Sequence, residues 1–419
     1  MDYSIGLSEA IYLLRTYSMA ERLPIAKHPE LTAIITHWLQ NPDSVPIYGT
    51  SEIASSWRRL LLAHCVAVRT TLQRKETAQP KAKQKTRVKF NGIPFPPRAE
   101  AKFTFAEICA GIGGFRIALQ RAGGKCVFSS EIDNAARQTY FDNYGEYPFG
   151  DIKQFTQRLS DEQIDRLIPD HDVLAAGFPC QPFSKAGVSA RNHLGQQSGF
   201  ECEIQGTIFF DIKRIAEVKR PAVILLENVK NLLNHDNGQT FAVIRRALEE
   251  ELRYSFAHEV LDASSLVPQR RERCYIVCFR KRRTQFSFPR FDKKQLRLKS
   301  ILEKDPDERF TISNKLWNGH KKRSKRNRAR NTGFVVATAD INKPANTLIA
   351  RYGKDGKECL IPQVGKNPRL LLPRECARLQ GFPEEFILPE QDTAAYHQLG
   401  NAVAVPVVER IMKKVVAKI

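Results

Sequence analysis

Apolar residues follow one period in the first part of this chain and another beyond residue 103. Leu7, Ala10, Ile11 and Leu14 recur at three- and four-residue steps. So do Leu31, Ile34, Ile35, Trp38 and Leu39, and then Ile53, Trp57, Leu60, Leu61, Cys65 and Val68. Side chains at that spacing share one face of an α-helix, so residues 1–75 are predicted to form an N-terminal helical domain. Residues 76–100 are polar, basic and proline-rich, with Pro80, Pro94, Pro96 and Pro97, and read as an extended linker.

Beyond it, short apolar runs at 103–108, 126–130, 173–176, 222–226 and 275–279 read as strands, with helical stretches such as 115–122 and 241–252 between them. Strands alternating with helices imply an α/β fold, a mostly parallel sheet with helices on both faces. This unit is placed at residues 101–279. Residues 280–392 break the alternation and begin with an irregular, basic stretch, which reads as an inserted smaller domain. A helix resumes from Arg374, and residues 393–419 return to the main domain with Gln398-Leu399-Gly400-Asn401 and an apolar helix from about Val405.

Composition narrows the function. No apolar run in the 419 residues approaches the roughly 20 needed to span a bilayer, so no membrane association is expected. The start, Met1-Asp2-Tyr3-Ser4, has neither the basic flank nor the apolar core of a secretory signal. Nine scattered cysteines form no CxxC pair, which argues against a zinc site and a disulfide framework and for a reducing, cytoplasmic setting. The net charge of +21 changes the picture most. Seven basic residues and no acid fall between 321 and 330, and a second basic stretch spans 74–89. Such clustering is the footprint of a polyanion, whereas an evenly basic coat would only be solvated.

Four short motifs carry candidate chemistry. Ala110-Gly111-Ile112-Gly113-Gly114 follows a strand and precedes a helix, and Glu131 stands about 20 residues on at the end of the next strand, where an acid can bind ribose hydroxyls. The third glycine of the dinucleotide fingerprint is missing, which points to a nucleoside cofactor without a pyrophosphate, S-adenosylmethionine (SAM) being the candidate. Gly177-Phe178-Pro179-Cys180-Gln181 places a thiol in a turn at a strand's carboxyl end; taken alone, such a cysteine is more often a small buried hydrophobe. Leu226-Glu227-Asn228-Val229 ends a buried strand, where a desolvated carboxyl can stay protonated, or where Glu-Asn simply starts a helix. Gln269-Arg270-Arg271-Glu272-Arg273 opens the last strand and sets Arg271 and Arg273 on one side, to grip an anion or a base edge or to form a surface ion-pair ladder.

In this order, together with Phe105-Ala106-Glu107-Ile108-Cys109, Arg374-Glu375-Cys376-Ala377-Arg378 and Gln398-Leu399-Gly400-Asn401, the motifs resemble those of the DNA (cytosine-5) methyltransferases over residues 103–410. The bacterial Dcm-like group is the most similar, on Ala186-Gly187-Val188-Ser189, Gln205-Gly206-Thr207 and the additional N-terminal helices. The resemblance implies a Rossmann-like methyltransferase sheet, with the insert as target-recognition domain. It implies that Cys180 adds as thiolate to cytosine C6, that Glu227 hydrogen-bonds N3, that Asn228 shapes the pocket, and that Arg271 and Arg273 orient the base. The base must be flipped out of the duplex, and residues 184–206 would close as a lid.

For SAM, the resemblance implies the turn from Ala110 and Gly111 through Ile112 and Gly113 to Gly114, preceded by Glu107. It adds Glu131 and Ile132, then Asp151 and Ile152, then Pro179, and finally Asn401 and Ala402. The chain departs from the family at Cys109, where an aromatic residue is usual, and at Ile132, where tryptophan is usual. For DNA it implies contacts by Gln181 and Ser184, Lys321, Lys322 and Arg323 on phosphates, and Arg351 at the end of the recognition region. Double-stranded DNA, a cognate restriction endonuclease and monomeric action are the implied partners and state. Rival readings are an RNA cytosine methyltransferase, a DNA-binding regulator, and a nicotinamide dehydrogenase; the last leaves Cys180 and Glu227 without a role.

Overall fold

The computed structural model describes residues 3–42, 51–73, 86–179, 208–292, 294–331 and 335–419. Six strands form the central sheet: β3 (Phe103–Ile108), β4 (Gly124–Ser130), β5 (Val173–Gly177), β6 (Val223–Val229), β7 (Ala257–Asp262) and β8 (Glu272–Phe279). Their spatial order is β4-β3-β5-β6-β8-β7. The first four pair in parallel, while β8 runs antiparallel to both β6 and β7. β5 and β6 are buried along nearly their whole length, as strands covered by helices on both faces must be. Strand β7 has no counterpart among the predicted strands. It is an edge strand whose polar His258 and Glu259 leave no apolar run to read.

Two apolar layers sandwich the sheet. On one side, Phe105, Ala175 and Leu225 pack with the C-terminal helix Val405–Val416 through Val408, Ile411 and Val415. On the other, Ala106, Ile108, Leu174 and Leu226 belong to the same core as Ile34, Trp38 and Trp57 of the N-terminal helices. Those helices span Leu7–Ala20, Leu31–Gln40 and Ser51–Gln73, as the periodicity predicts.

The expected linker departs from its reading. Strand β2 (Thr86–Lys89) pairs in parallel with β1 (Tyr3–Gly6), and Phe95 lies against the rings of Tyr144 and Phe386. The stretch is therefore ordered from residue 86 by pairing and burial. Within 280–392, the helix Asn314–Ala329 covers a small cluster of Ile312, Val336 and Leu360. Phe310, Leu348, Tyr352 and Leu371 join the main core, so the insert grows out of the sheet's own packing. A buried Arg369–Glu375 pair, with contacts of 2.7 and 2.8 Å, locks it to the helix Pro373–Gln380. Among the described residues, no helix is long and apolar enough to cross a membrane.

Candidate active site

The chain leaves β3 for β4 on one side of it and returns to β5 on the other. Parallel strands whose connections diverge in this way open a crevice at their carboxyl ends. A cavity of about 690 Å³ lies there, lined by the turns at 109–112, 130–133, 177–179 and 227–229 and closed by Arg271, Arg273, Arg351 and residues 400–403.

The glycine turn after β3 divides its labour. Gly111 has φ +55 and nothing within 4 Å of where a Cβ would sit, so its backbone is open to a ligand. Gly113 has φ +80, but a Cβ there would stand 2.3 Å from the Tyr144 ring. Its smallness serves the packing of Tyr144, whose hydroxyl donates to the Gly113 carbonyl at 2.7 Å. Cys109, just before the turn, takes a left-handed conformation at φ 55, uncommon for a residue with a side chain.

One half of the cavity is built from the ends of β3 and β4. Glu131 accepts the Gly111 N–H at 2.7 Å and the Asp133 N–H at 2.8 Å, and burial still raises its carboxyl above the ordinary range. Ile132 is 69% exposed, a large apolar side chain at the cavity wall. Asp151 caps the helix Ile152–Thr156 through the Lys153 N–H at 3.0 Å. Asn401 and Ala402 close the wall at the end of the helix Asp392–Asn401.

The other half is set by strand register. Gly177 of β5 pairs with Glu227 of β6, so the turn that leads into Cys180 begins beside the Glu227 carboxyl. Because β8 is reversed, it starts where β6 ends, and Arg273 pairs with Val229. Its Nε lies 3.1 Å from Glu227 Oε1. Burial raises the Glu227 carboxyl, and the guanidiniums of Arg273 and then Arg271 oppose the shift without cancelling it. Asn228 is buried, and its Nδ2 donates to the Phe178 carbonyl at 3.0 Å, which pins the turn two residues before Cys180. Arg271 donates to the carbonyls of Leu348 (3.0 Å), Gly400 (3.2 Å) and Ala402 (2.6 Å). It thus ties the insert and the C-terminal segment to the sheet, and burial lowers its guanidinium to about 9.

The chain has known relatives. Residues 103–417 match the family of C-5 cytosine-specific DNA methylases. The chain belongs to that family. The Type II methyltransferase M.SsoII of Shigella sonnei is 43% identical over 353 residues, 82% of this chain and 88% of the relative. The Type II methyltransferase M.NlaX of Neisseria lactamica is 46% identical over 320 residues, 75% of this chain and 96% of the relative. The DNA-cytosine methyltransferase of Escherichia coli (strain K12) is 39% identical over 381 residues, 78% and 80% of the two chains. In fold, the S. pombe Dnmt2 methyltransferase superposes with a TM-score of 0.57 at 18% identity, covering 74% of this chain and 97% of its own. The chain is thus a cytosine-C5 DNA methyltransferase.

Of the residues expected around the methyltransferase's cofactor, all but Glu107 and Gly113 line the cavity. Glu227, Asn228, Arg271, Arg273 and Arg351 line it too, though their motifs are far apart in sequence. Cys180, Gln181, Ser184 and the expected lid at 184–206 lie outside the described residues. Lys321 and Lys322 are exposed on the helix Asn314–Ala329, with Lys321 Nζ 5.6 Å from the Trp317 ring centroid, while Arg323 pairs with Asp355 at 3.5 Å. Gln398 carries no role in the sequence reading. It lines the cavity, and among the described residues its buried Nε2 has no hydrogen-bond partner.

Glu107 lies instead in a buried polar network below the glycine turn, where Tyr140 donates to it at 3.2 Å. Its other oxygen has no partner among the described residues, and burial pushes its carboxyl up to about 8 against the pull of Arg116. A buried acid with a raised pKa binds a proton in the folded state that the unfolded chain has released. Folding stability should therefore fall as pH rises from about 4.5 to about 8. Glu107→Gln, neutral throughout, is expected to raise the melting temperature more at pH 8 than at pH 5.5. Thermal unfolding at the two pH values checks this, and equal shifts would refute a neutral Glu107.

Proposed function

We propose that the methyltransferase takes its methyl group from SAM and delivers it to C5 of a cytosine flipped out of duplex DNA, through a bond between Cys180 Sγ and ring C6. The pairing of Gly177 with Glu227 is the observation that supports this reading, because residues 177–179, which precede Cys180, begin beside a desolvated acid at one cavity.

The cavity fits SAM on its own terms. Glu131 offers carboxylate oxygens to ribose hydroxyls, exposed Ile132 and half-buried Cys109 offer apolar surface to adenine, and Asp151 can accept from the adenine amino group. Asn401 and Ala402, on the same cavity wall, would face the methionine end. When bound, SAM would supply an electrophilic methyl group and, as its S–CH3 bond breaks, be left as the neutral thioether S-adenosylhomocysteine.

The chain's residues prepare the ring to receive it. Cytosine C5 is a poor nucleophile until the Cys180 thiolate adds to C6 and shifts the electron pair toward C5. Glu227, protonated, donates to N3 and stabilises the charge that develops on the ring. Arg273 holds Glu227, and Asn228 holds the Phe178-Pro179-Cys180 turn. After C5 is methylated, its proton leaves to water, the C5–C6 double bond reforms and Cys180 departs. Extruding the base brings C5 and C6 within reach, since both are stacked inside the duplex.

We assign the exposed Lys321 and Lys322 to DNA phosphates and Arg351, at the cavity mouth, to the DNA near the base. Relatives named Type II methyltransferases support a cognate restriction endonuclease as partner. We further propose action as a monomer, one flipped base requiring one site, and a cytoplasmic location.

The test is transfer of a tritiated methyl group from SAM to duplex DNA, with tRNA alongside. Label in 5-methylcytosine of duplex DNA is expected. Label on tRNA alone would overturn the substrate assignment, and DNA methylation without SAM would overturn the donor.

A further inference from the structure

The N-terminal helices lie outside the family match at 103–417, yet they end inside the network that supports the glycine turn. Gln40, the last residue of the helix Leu31–Gln40, is 4% exposed and uses both ends of its amide. Its Oε1 accepts from Arg116 Nη2 at 3.2 Å, and its Nε2 donates to the Tyr144 carbonyl at 3.1 Å. Its own carbonyl accepts from Lys125 Nζ at 3.1 Å.

Tyr144 and Arg116 lead to the turn. Tyr144 packs its ring against Gly113 and donates to the Gly113 carbonyl at 2.7 Å. Arg116 lies in the first turn of the helix Gly114–Arg121, which the glycine turn opens. Its Nη1 donates to Glu146 and to Tyr140, both at 3.1 Å, and Glu146 accepts from Ser129 at 2.6 Å, two residues before Glu131. Gln40 thus holds the turn from below through Tyr144 and from its helical side through Arg116. The turn in its place lets the Gly111 N–H reach Glu131.

We propose that Gln40 is a positioning residue for the cofactor turn, so that the N-terminal helices are a working part of the SAM site and not an appended domain. The inference rests on SAM being the cofactor. Deleting the amide removes an acceptor from a buried guanidinium and a donor from a buried carbonyl, and both losses fall on groups that hold the turn.

The experiment measures the SAM dissociation constant of the full chain by calorimetry, with kcat and the KM for DNA beside it. Gln40→Ala is expected to weaken SAM binding about tenfold, leaving kcat at saturating SAM and the KM for DNA within about twofold. Gln40→Glu keeps an acceptor for Arg116 and is expected to lie between the two; it carries the test if the alanine variant does not fold. Trp57→Phe removes a hydrogen bond to Ser18 inside the N-terminal helices, to which Gln40 and its partners do not contribute, and serves as the stability control. Wild-type affinity in the Gln40 variants would overturn the proposal, as would equal weakening in Trp57→Phe. Failure of the wild-type chain to bind SAM would overturn the cofactor reading beneath it.

Discussion

Cys180→Ser is expected to lower methyl transfer to DNA by more than about a thousandfold while leaving SAM binding within about twofold. A serine hydroxyl keeps the size of the thiol but lies several pKa units further from its anion at neutral pH, and the alkoxide is what would have to add to C6. The anchoring of the residues that precede Cys180 makes the effect specific to chemistry. The turn is held at Phe178 by Asn228 and at Gly177 by strand pairing, so the substitution leaves that anchoring in place. Steady-state transfer of tritiated methyl groups measures the loss. DNA carrying 5-fluorocytosine provides an independent readout, because fluorine at C5 blocks release of the enzyme. The wild-type chain should form a denaturant-resistant adduct and the serine variant none. Activity within tenfold of wild type would sink the covalent route.

Glu227→Ala is expected to cost about 10²- to 10³-fold in kcat. Alanine removes the donor to N3 and leaves Arg273 beside the cavity without its carboxyl partner at 3.1 Å. Glu227→Gln keeps an N–H donor and is expected to lose less than alanine. The pH profile separates the two roles. Burial raises the Glu227 pKa, so the protonated, donating form persists above the ordinary carboxyl range and is lost as pH rises through the folded-state value. The thiolate of Cys180 is gained in the same direction. The wild-type profile should therefore be bell-shaped, with the Glu227 ionisation contributing to its falling limb. Glutamine, which does not titrate, should abolish that contribution. A falling limb unchanged in the glutamine variant would refute a protonated Glu227.

The sequence by itself determined the class and named the candidates for the chemistry. Apolar periodicity separated the N-terminal helices from the strand-and-helix domain, because burying one face of a helix and both faces of a sheet leave different spacings. The motifs named the thiol, the acid and the glycine turn, since each needs particular residue types at a strand's carboxyl end. Only the tertiary structure decided which of them meet. Register in the parallel pair β5–β6 set Gly177 against Glu227, and reversal of β8 carried Arg273 to the same end. A reversed strand and a parallel one can show the same apolar run, so the direction was not legible. The polar edge strand β7 was missed because it carries no such run, and β2 because pairing with β1 outweighs a linker-like composition. Glu107 and Gly113 moved from ligand contact to support for the same reason. Which face of a turn meets the cavity and which meets Tyr144 depends on residues brought from elsewhere in the chain, and one of the groups below that turn, Gln40, comes from outside the family match altogether.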